Sequence, residues 1–273
     1  MKNQVISLKN AADRRTHITQ EFSRQGVSFD FFDAITPELL EKTAQALSIN
    51  IMDNALLSMG EKACFLSHVC LWQKMIDENL PYMAIFEDDI YLGKNAQLFL
   101  QETDWLPKKA DEFLIKLEGF DKNRQFNHTP LFIKDGRHLV CLHEEHLGAA
   151  GYLLSYKMAE KLLMLVRHEM VLSPVDNLIF GYYPFVKNSY LVYQLNPALC
   201  IQSDRCSLFL EHNKNKVFNS QLLDERIQHR EKQGFDLNKK KKGLFHKIIR
   251  EIARPFLRLY KALQQRKNSI GFR

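Results

Sequence analysis

The stretch Tyr82-Met-Ala-Ile-Phe-Glu-Asp-Asp-Ile-Tyr-Leu92 decides how the rest of the chain is read. Its first five residues are an apolar run of strand length, preceded by Asn79-Leu80-Pro81 and followed at once by three acids. Adjacent carboxylates at the end of a buried strand repel one another and lose hydration, so the pattern asks for a compensating partner. A hard divalent cation takes carboxylate oxygens and keeps positions open for phosphate oxygens. A solvated acidic turn is the competing reading of the triplet alone. The apolar run favours the cation, because it fixes where the acids emerge, and ligands bind at the carboxyl ends of strands in open α/β sheets.

Outward from this strand, helices and strands alternate. Gln4 to Leu8 reads as a strand, and Asp13 is placed to cap a helix running to about Gln25, closed by Gly26. Val27 to Phe32 reads as a second strand, and Pro37 suits the first turn of a helix ending near Leu47. Ser58-Met-Gly-Glu61 is a capping box, and behind it Cys64, Phe65, His68, Leu71, Trp72 and Met75 recur at spacings of three and four, the stripe of a buried helix. His68, on that apolar face, reads first as a core histidine. Beyond the acids, Phe113 to Leu117 is a strand, and Leu131 to Ile133 and Leu139 to Leu142 flank the hairpin turn Asp135-Gly136. Gly148 to Ser155 is a small-residue loop or strand, Tyr156 to Arg167 a helix, and Leu191 to Gln194 a late strand. This order predicts an α/β sandwich on a largely parallel sheet.

The 273 residues are 45% hydrophobic and 26% charged, which excludes wholesale disorder, a collagen-like chain and a small disulfide scaffold. The net charge of +6 conceals a division. Lys239 to Arg273 carries twelve Lys/Arg and one acid, Glu251, a net of +11, which leaves −5 on the 238 residues before it. Two parts are therefore expected, a body over 1–238 and a basic tail over 239–273. No run reaches the roughly 18 apolar residues of a spanning helix, and the first residues lack the apolar core of a signal peptide. The five cysteines form no CxxC pair and read as reduced and cytoplasmic.

Six motifs, in order, give the body a family likeness. They are Ile6-Ser-Leu-Lys9 followed by Arg14-Arg15; Ser58-Met-Gly-Glu-Lys-Ala-Cys-Phe-Leu-Ser-His68; Ile85-Phe-Glu-Asp-Asp-Ile90; Gly151-Tyr-Leu-Leu-Ser155; Pro174-Val-Asp176; and Pro197-Ala-Leu-Cys-Ile-Gln202. The set resembles the glycosyltransferase family 25 enzymes, the galactosyltransferases and glucosyltransferases of lipooligosaccharide biosynthesis. The resemblance implies a GT-A-type, Rossmann-like glycosyltransferase fold, a UDP-hexose donor (UDP-galactose ahead of UDP-glucose), inversion at the anomeric carbon and a lipid-linked oligosaccharide acceptor. It does not extend to the basic tail.

The resemblance also suggests roles. Asp89 is expected to coordinate Mn2+ (or Mg2+), with Glu87 beside it at the metal and Asp88 meeting the donor. Ser7, Leu8, Arg14 and Arg15 are expected around the nucleotide, Arg offering a planar fork for phosphate. Gly151 would let the backbone approach the sugar, against the rival reading of a tight turn, and Gln202 would lie near the donor. Asp176 is the candidate base for the acceptor hydroxyl; by its residue type and place alone it reads as a carboxylate at a helix start.

In the tail, Leu244, Phe245, Ile248, Ile249, Ile252, Phe256, Leu259, Tyr260 and Leu263 recur with helical spacing, and basic residues fall largely between them. That pattern is a basic amphipathic helix, broken near Pro255, which suits an anionic membrane face better than nucleic acid. A peripheral enzyme on the cytoplasmic face of the inner membrane is the resulting expectation. The rivals are a helix docked on the body and a non-catalytic membrane-surface adaptor.

Overall fold

The apolar run at Tyr82 does become a strand, and it lies inside a large sheet. The structure, a computed structural model, describes residues 1–108, 111–120, 131–169, 172–186, 189–209, 217–218, 225–226, 228–229 and 270–272. In chain order the elements that place the site are β1 (Lys2–Ser7), α1 (Ala12–Arg24), β2 (Asp30–Asp33), α2 (Leu40–Leu47), α3 (Met59–Asp77), β3 (Tyr82–Glu87), β4 (Ile90–Leu92), α4 (Gln97–Leu100), β5 (Leu114–Lys116), β6 (Leu131–Phe132), β7 (His138–Cys141), β8 (Gly151–Ser155), α5 (Tyr156–His168), α6 (Val175–Asn177), β9 (Val192–Asn196) and β10 (Cys200–Gln202).

Eight strands form one sheet in the order β2-β1-β3-β8-β5-β9-β7-β6. β1 pairs in parallel with β2 and β3, and β5 with β9. β8 runs against both β3 and β5, and β7 against both β9 and β6. Six strands therefore share one direction, and β7 and β8 are reversed. The hairpin expected at Asp135-Gly136 joins β6 to β7, with both turn residues at positive φ, 51° and 61°.

Strand alternation sorts the core into two layers. Met83 and Ile85 of β3, Tyr152 and Leu154 of β8, and Leu114 of β5 pack towards α3 and α5. Ala84 and Phe86, Leu153, and Ile115 and Leu117 pack on the other face, with Ile18 and Phe22 of α1. The same alternation turns Glu87 towards α3. That helix starts on the expected capping box: Glu61 N–H donates to the Ser58 hydroxyl (3.1 Å), and Ser58 N–H donates to the Glu61 carboxylate (2.9 Å). The first helix differs from expectation. Its N-cap is Ala11, without a side-chain cap, and Asp13 lies inside the first turn, where its charge still favours the helix dipole.

After Pro197 the chain crosses to β10, which pairs antiparallel with β4 and sets Gln202 opposite Ile90. Ile270 is fully buried, and Ala198 N–H donates to Gly271 C=O at 2.7 Å. The last described residues thus belong to the body's core. The rest of the basic segment, including the stripe at 244–263 and the expected boundary at 238/239, lies outside the described residues. Among the described residues no helix is long and apolar enough to cross a membrane.

Candidate functional site

Because β1 and β3 are parallel neighbours, their carboxyl ends open on the same edge, and Ser7-Leu8 emerges beside Glu87-Asp88-Asp89. The Ser7 hydroxyl donates to Asp88 (2.7 Å), and the Arg14 guanidinium, from the first turns of α1, donates to the other Asp88 oxygen (2.6 Å). Asp88 is thus committed to two protein donors. Asp89 lies 3.6 Å from the same guanidinium. The β4–β10 pairing brings Gln202 over the acids, where its amide nitrogen is 3.3 Å from a Glu87 oxygen and 3.5 Å from an Asp89 oxygen.

One amide group therefore faces two carboxylates that have little other compensation. Burial, reinforced by Glu118, Asp88 and Asp176, raises the Glu87 pKa, and Arg14 only partly offsets it. Burial and the charge of Glu87 raise the Asp89 pKa in the same way. Arg14 loses hydration in this cleft, but Asp88, Asp89 and Glu87 outweigh that loss and keep its pKa above the usual value. An all-oxygen donor pair, close together and short of positive charge, has the chemistry that Mg2+ or Mn2+ takes. Glu87 and Asp89 fit such an ion, and Asp88 positions Arg14.

Two cavities meet here. The larger, about 570 Å³, is lined by Ser7, Leu8, Arg14, His68 and the three acids. Its size is that of an ordinary small-ligand site. The smaller, about 190 Å³, is lined by Gly148, Ala149, Asp176, Asp204, Arg205 and Glu61. Cys64, Glu87 and Gln202 line both. Asp176 sits at the start of α6, after Pro174, where it receives the N–H groups of Gly148 (3.4 Å) and Asn177 (2.9 Å). Of the other acids of that cavity, Glu87 faces both cavities, and two stand beside arginines: Glu61 is 2.5 Å from Arg226 and Asp204 4.0 Å from Arg205.

The expected residues fall into two groups. Ser7, Leu8, Arg14, Glu87, Asp88, Asp89, Asp176 and Gln202 converge on the joined cavities. Arg15 and Gly151 line neither. Arg15 donates to the carbonyls of Ser7 and Leu8 (both 3.1 Å), pairs with Asp33 and lies over the Phe31 ring, so it ties the end of β1 to β2. Gly151 lies within β8, where a Cβ would come 2.2 Å from Cys200 Sγ. Its missing side chain makes room for Cys200, which accounts for a glycine here by packing.

Sequence reasoning left out the back wall. Lys116 and Glu118, both fully buried, form an ion pair at 3.1 Å behind Gly148 and Ala149. Lys116 also donates to the Gly148 carbonyl, and Glu118 accepts from Ala150 N–H (3.1 Å). Two opposite charges two residues apart in an apolar strand share one face, and that spacing was a readable signal. Cys64 was read as part of a core stripe, but it follows Glu61 by three residues and precedes His68 by four, so all three project into the cleft.

Comparison with known proteins finds a matching family model and relatives aligned over most of their length. Residues 1–179 match the model of glycosyltransferase family 25, described as LPS biosynthesis protein. The chain is 37% identical to the lacto-N-neotetraose biosynthesis glycosyltransferase LgtB of Neisseria gonorrhoeae, over 99% of this chain and 98% of that one. It is 39% identical to LgtE of Neisseria meningitidis, over 84% and 83%. It is 34% identical to the lipooligosaccharide biosynthesis protein lic2B of Haemophilus influenzae, over 99% of each.

Proposed function

The chain belongs to glycosyltransferase family 25, and from that premise we propose that it moves galactose from UDP-galactose onto the growing oligosaccharide of lipooligosaccharide, with inversion, on a GT-A scaffold. The observation that carries this reading is the pair of cavities joined at Glu87. One has the size and polarity for a nucleoside diphosphate, and the other offers a carboxylate to an incoming hydroxyl.

In this reading the donor diphosphate lies in the larger cavity, against Arg14 and the Ser7-Leu8 turn. Glu87 and Asp89 would hold Mn2+ (or Mg2+), which supplies positive charge to the departing diphosphate. Asp88 keeps the Arg14 fork turned into the cleft. The acceptor hydroxyl enters from the smaller cavity and gives its proton to Asp176. Glu61 and Asp204 suit that task less, because each stands beside an arginine. Backbone N–H groups hold the Asp176 carboxylate and fix its aim.

The acceptor is proposed to be lipid-linked, and the +11 segment to bring the enzyme to an anionic membrane face. Because Ile270 is buried in the body, that idea is best tested by replacing Lys239 to Lys242 with Gln rather than by truncation. Vesicles containing anionic lipid should then bind the variant at least several-fold more weakly, and unchanged binding refutes the role.

A panel of UDP-sugars, read as UDP release with Mn2+ and with or without acceptor, tests the reaction. UDP-galactose should turn over fastest. Faster release from UDP-glucose reassigns the donor, and silence with every sugar refutes the transferase reading. Asp176→Asn should bind UDP as the parent does yet transfer about 10²–10⁴-fold more slowly; parental transfer removes Asp176 as base.

A further inference from the structure

His68 touches the site from behind. It is fully buried on α3, with Nδ1 2.9 Å from the Tyr152 hydroxyl oxygen. Its Nε2 lies 3.8 Å from a Glu87 oxygen and has no hydrogen-bond partner among the described residues. The indole N–H of Trp72 donates to the same Tyr152 oxygen at 2.9 Å.

Counting hydrogens along this chain fixes the ring. An indole nitrogen only donates, so the Tyr152 oxygen accepts from Trp72. The phenol has one hydrogen of its own, and its other neighbour is His68 Nδ1. Were Nδ1 to carry hydrogen, two N–H groups would point at one oxygen, and the phenol hydrogen would have no acceptor among the described hydrogen bonds. Nδ1 therefore accepts, and the imidazole carries its hydrogen on Nε2. That hydrogen points towards Glu87, across a gap too long for a bond as it stands.

We propose that His68 is a positioning residue for Glu87. Trp72 and Tyr152 lock its tautomer, its Nε2–H takes one carboxylate oxygen when the cleft is loaded, and the other oxygen, beside Gln202, is left turned towards the cation. Such an outer partner orients a metal-ligating carboxylate without touching the metal. One ligand atom each of Cys64, His68 and Glu87 lies within 4.8 Å of the others, a grouping that would also suit a thiophilic cation. The hydrogen on Nε2 speaks against that use, because a metal needs the lone pair there.

The inference rests on the proposed metal-dependent transfer, and the test separates the two. Wild type, His68→Phe, His68→Gln, Tyr152→Phe and Asp89→Ala are compared by melting temperature, by Mn2+ binding in the presence of UDP (electron paramagnetic resonance of free Mn2+), and by kcat and the Mn2+ requirement of UDP release. His68→Phe should bind Mn2+ about 10–100-fold more weakly, with kcat largely recovered at saturating Mn2+. His68→Gln, which keeps an N–H donor, should regain part of that affinity, and Tyr152→Phe should fall between. Wild-type Mn2+ binding by His68→Phe, with binding lost in Asp89→Ala, overturns the positioning role and leaves the reaction standing. Retention by both variants overturns the role together with the metal reading. Loss of Zn2+ binding in His68→Phe with Mn2+ binding intact would make the cluster a soft-cation site and also overturn the proposal. If His68→Phe melts early, Tyr152→Phe decides, and unweakened Mn2+ binding there overturns the role.

Discussion

Acids in front of and behind this cleft are treated in opposite ways. Glu118, on the back wall, is fully buried with a dedicated lysine at 3.1 Å and a backbone N–H at 3.1 Å. Glu87 and Asp89, at the front, share one arginine with Asp88 and one amide with each other. Burial of an unmatched carboxylate is costly, so evolution ordinarily supplies the countercharge within the fold. At the front that countercharge is the cation proposed above, whereas on the back wall it is a lysine of the fold itself, even though one Glu118 oxygen has no hydrogen-bond partner among the described residues.

The comparison can be broken at several points. The largest effect is expected from Asp89→Ala, which should slow Mn2+-dependent UDP release by about 10²–10³-fold, as the loss of one electrostatic contact to a leaving group does. Without metal the same variant should melt no lower than the parent, because a buried carboxyl group short of countercharge is gone. A marked loss of stability would mean that Asp89 is structural after all. Glu118→Gln should do the reverse and cost about 3–5 kcal/mol in denaturant unfolding, by leaving Lys116 buried and alone. The double change Lys116→Met with Glu118→Leu should recover most of that loss, and failure to do so would show a role for the pair beyond mutual neutralisation.

Gly151→Ala comes next, at roughly 1–3 kcal/mol for forcing a methyl against Cys200. Cys200→Ala should relieve part of that cost, whereas a change in UDP affinity without a change in stability would return Gly151 to the donor site. Smaller still is a pH effect of the front acids. Burial and the repulsion of neighbouring acids raise their folded pKa values, so the stability they contribute is present below the ordinary carboxylate range and is lost as pH rises above it. A cation removes that loss. The melting-temperature gain from Mn2+ should therefore be larger at pH 8 than at pH 5, and an equal gain at both would separate the ion from these acids. Smallest is the exposed pair Lys2–Asp30 at 2.5 Å. Asp30→Asn should cost under about 1 kcal/mol and less in high salt.

Much of this was legible because it is local. The capping box at Ser58, the hairpin at Asp135-Gly136 and the apolar run before the acids depend on neighbours a few residues away, and each forms as read. The reversal of β8 was not legible, because pairing direction depends on partners in β3 and β5, 36 or more residues earlier in the chain. The packing role of Gly151 was hidden for the same reason: Cys200, which fills the space, lies 49 residues further on. Arg15 and Arg14 are adjacent and identical in kind, and only the helix geometry sends one to the acids and the other to Asp33. The pair Lys116 and Glu118 could have been found, since two charges on one face of a strand otherwise apolar have few solvated explanations.

The burial of Ile270 bears on how the end of the chain can be altered. Ile270 is enclosed by the core, Ala198 N–H donates to the Gly271 carbonyl, and Gly271 N–H donates to the Asn196 side chain at 2.9 Å. Deleting the final four residues would open a cavity where the isoleucine sits and strip two hydrogen bonds from the turn after β9. A shortened chain therefore reports on the body as well as on the segment removed.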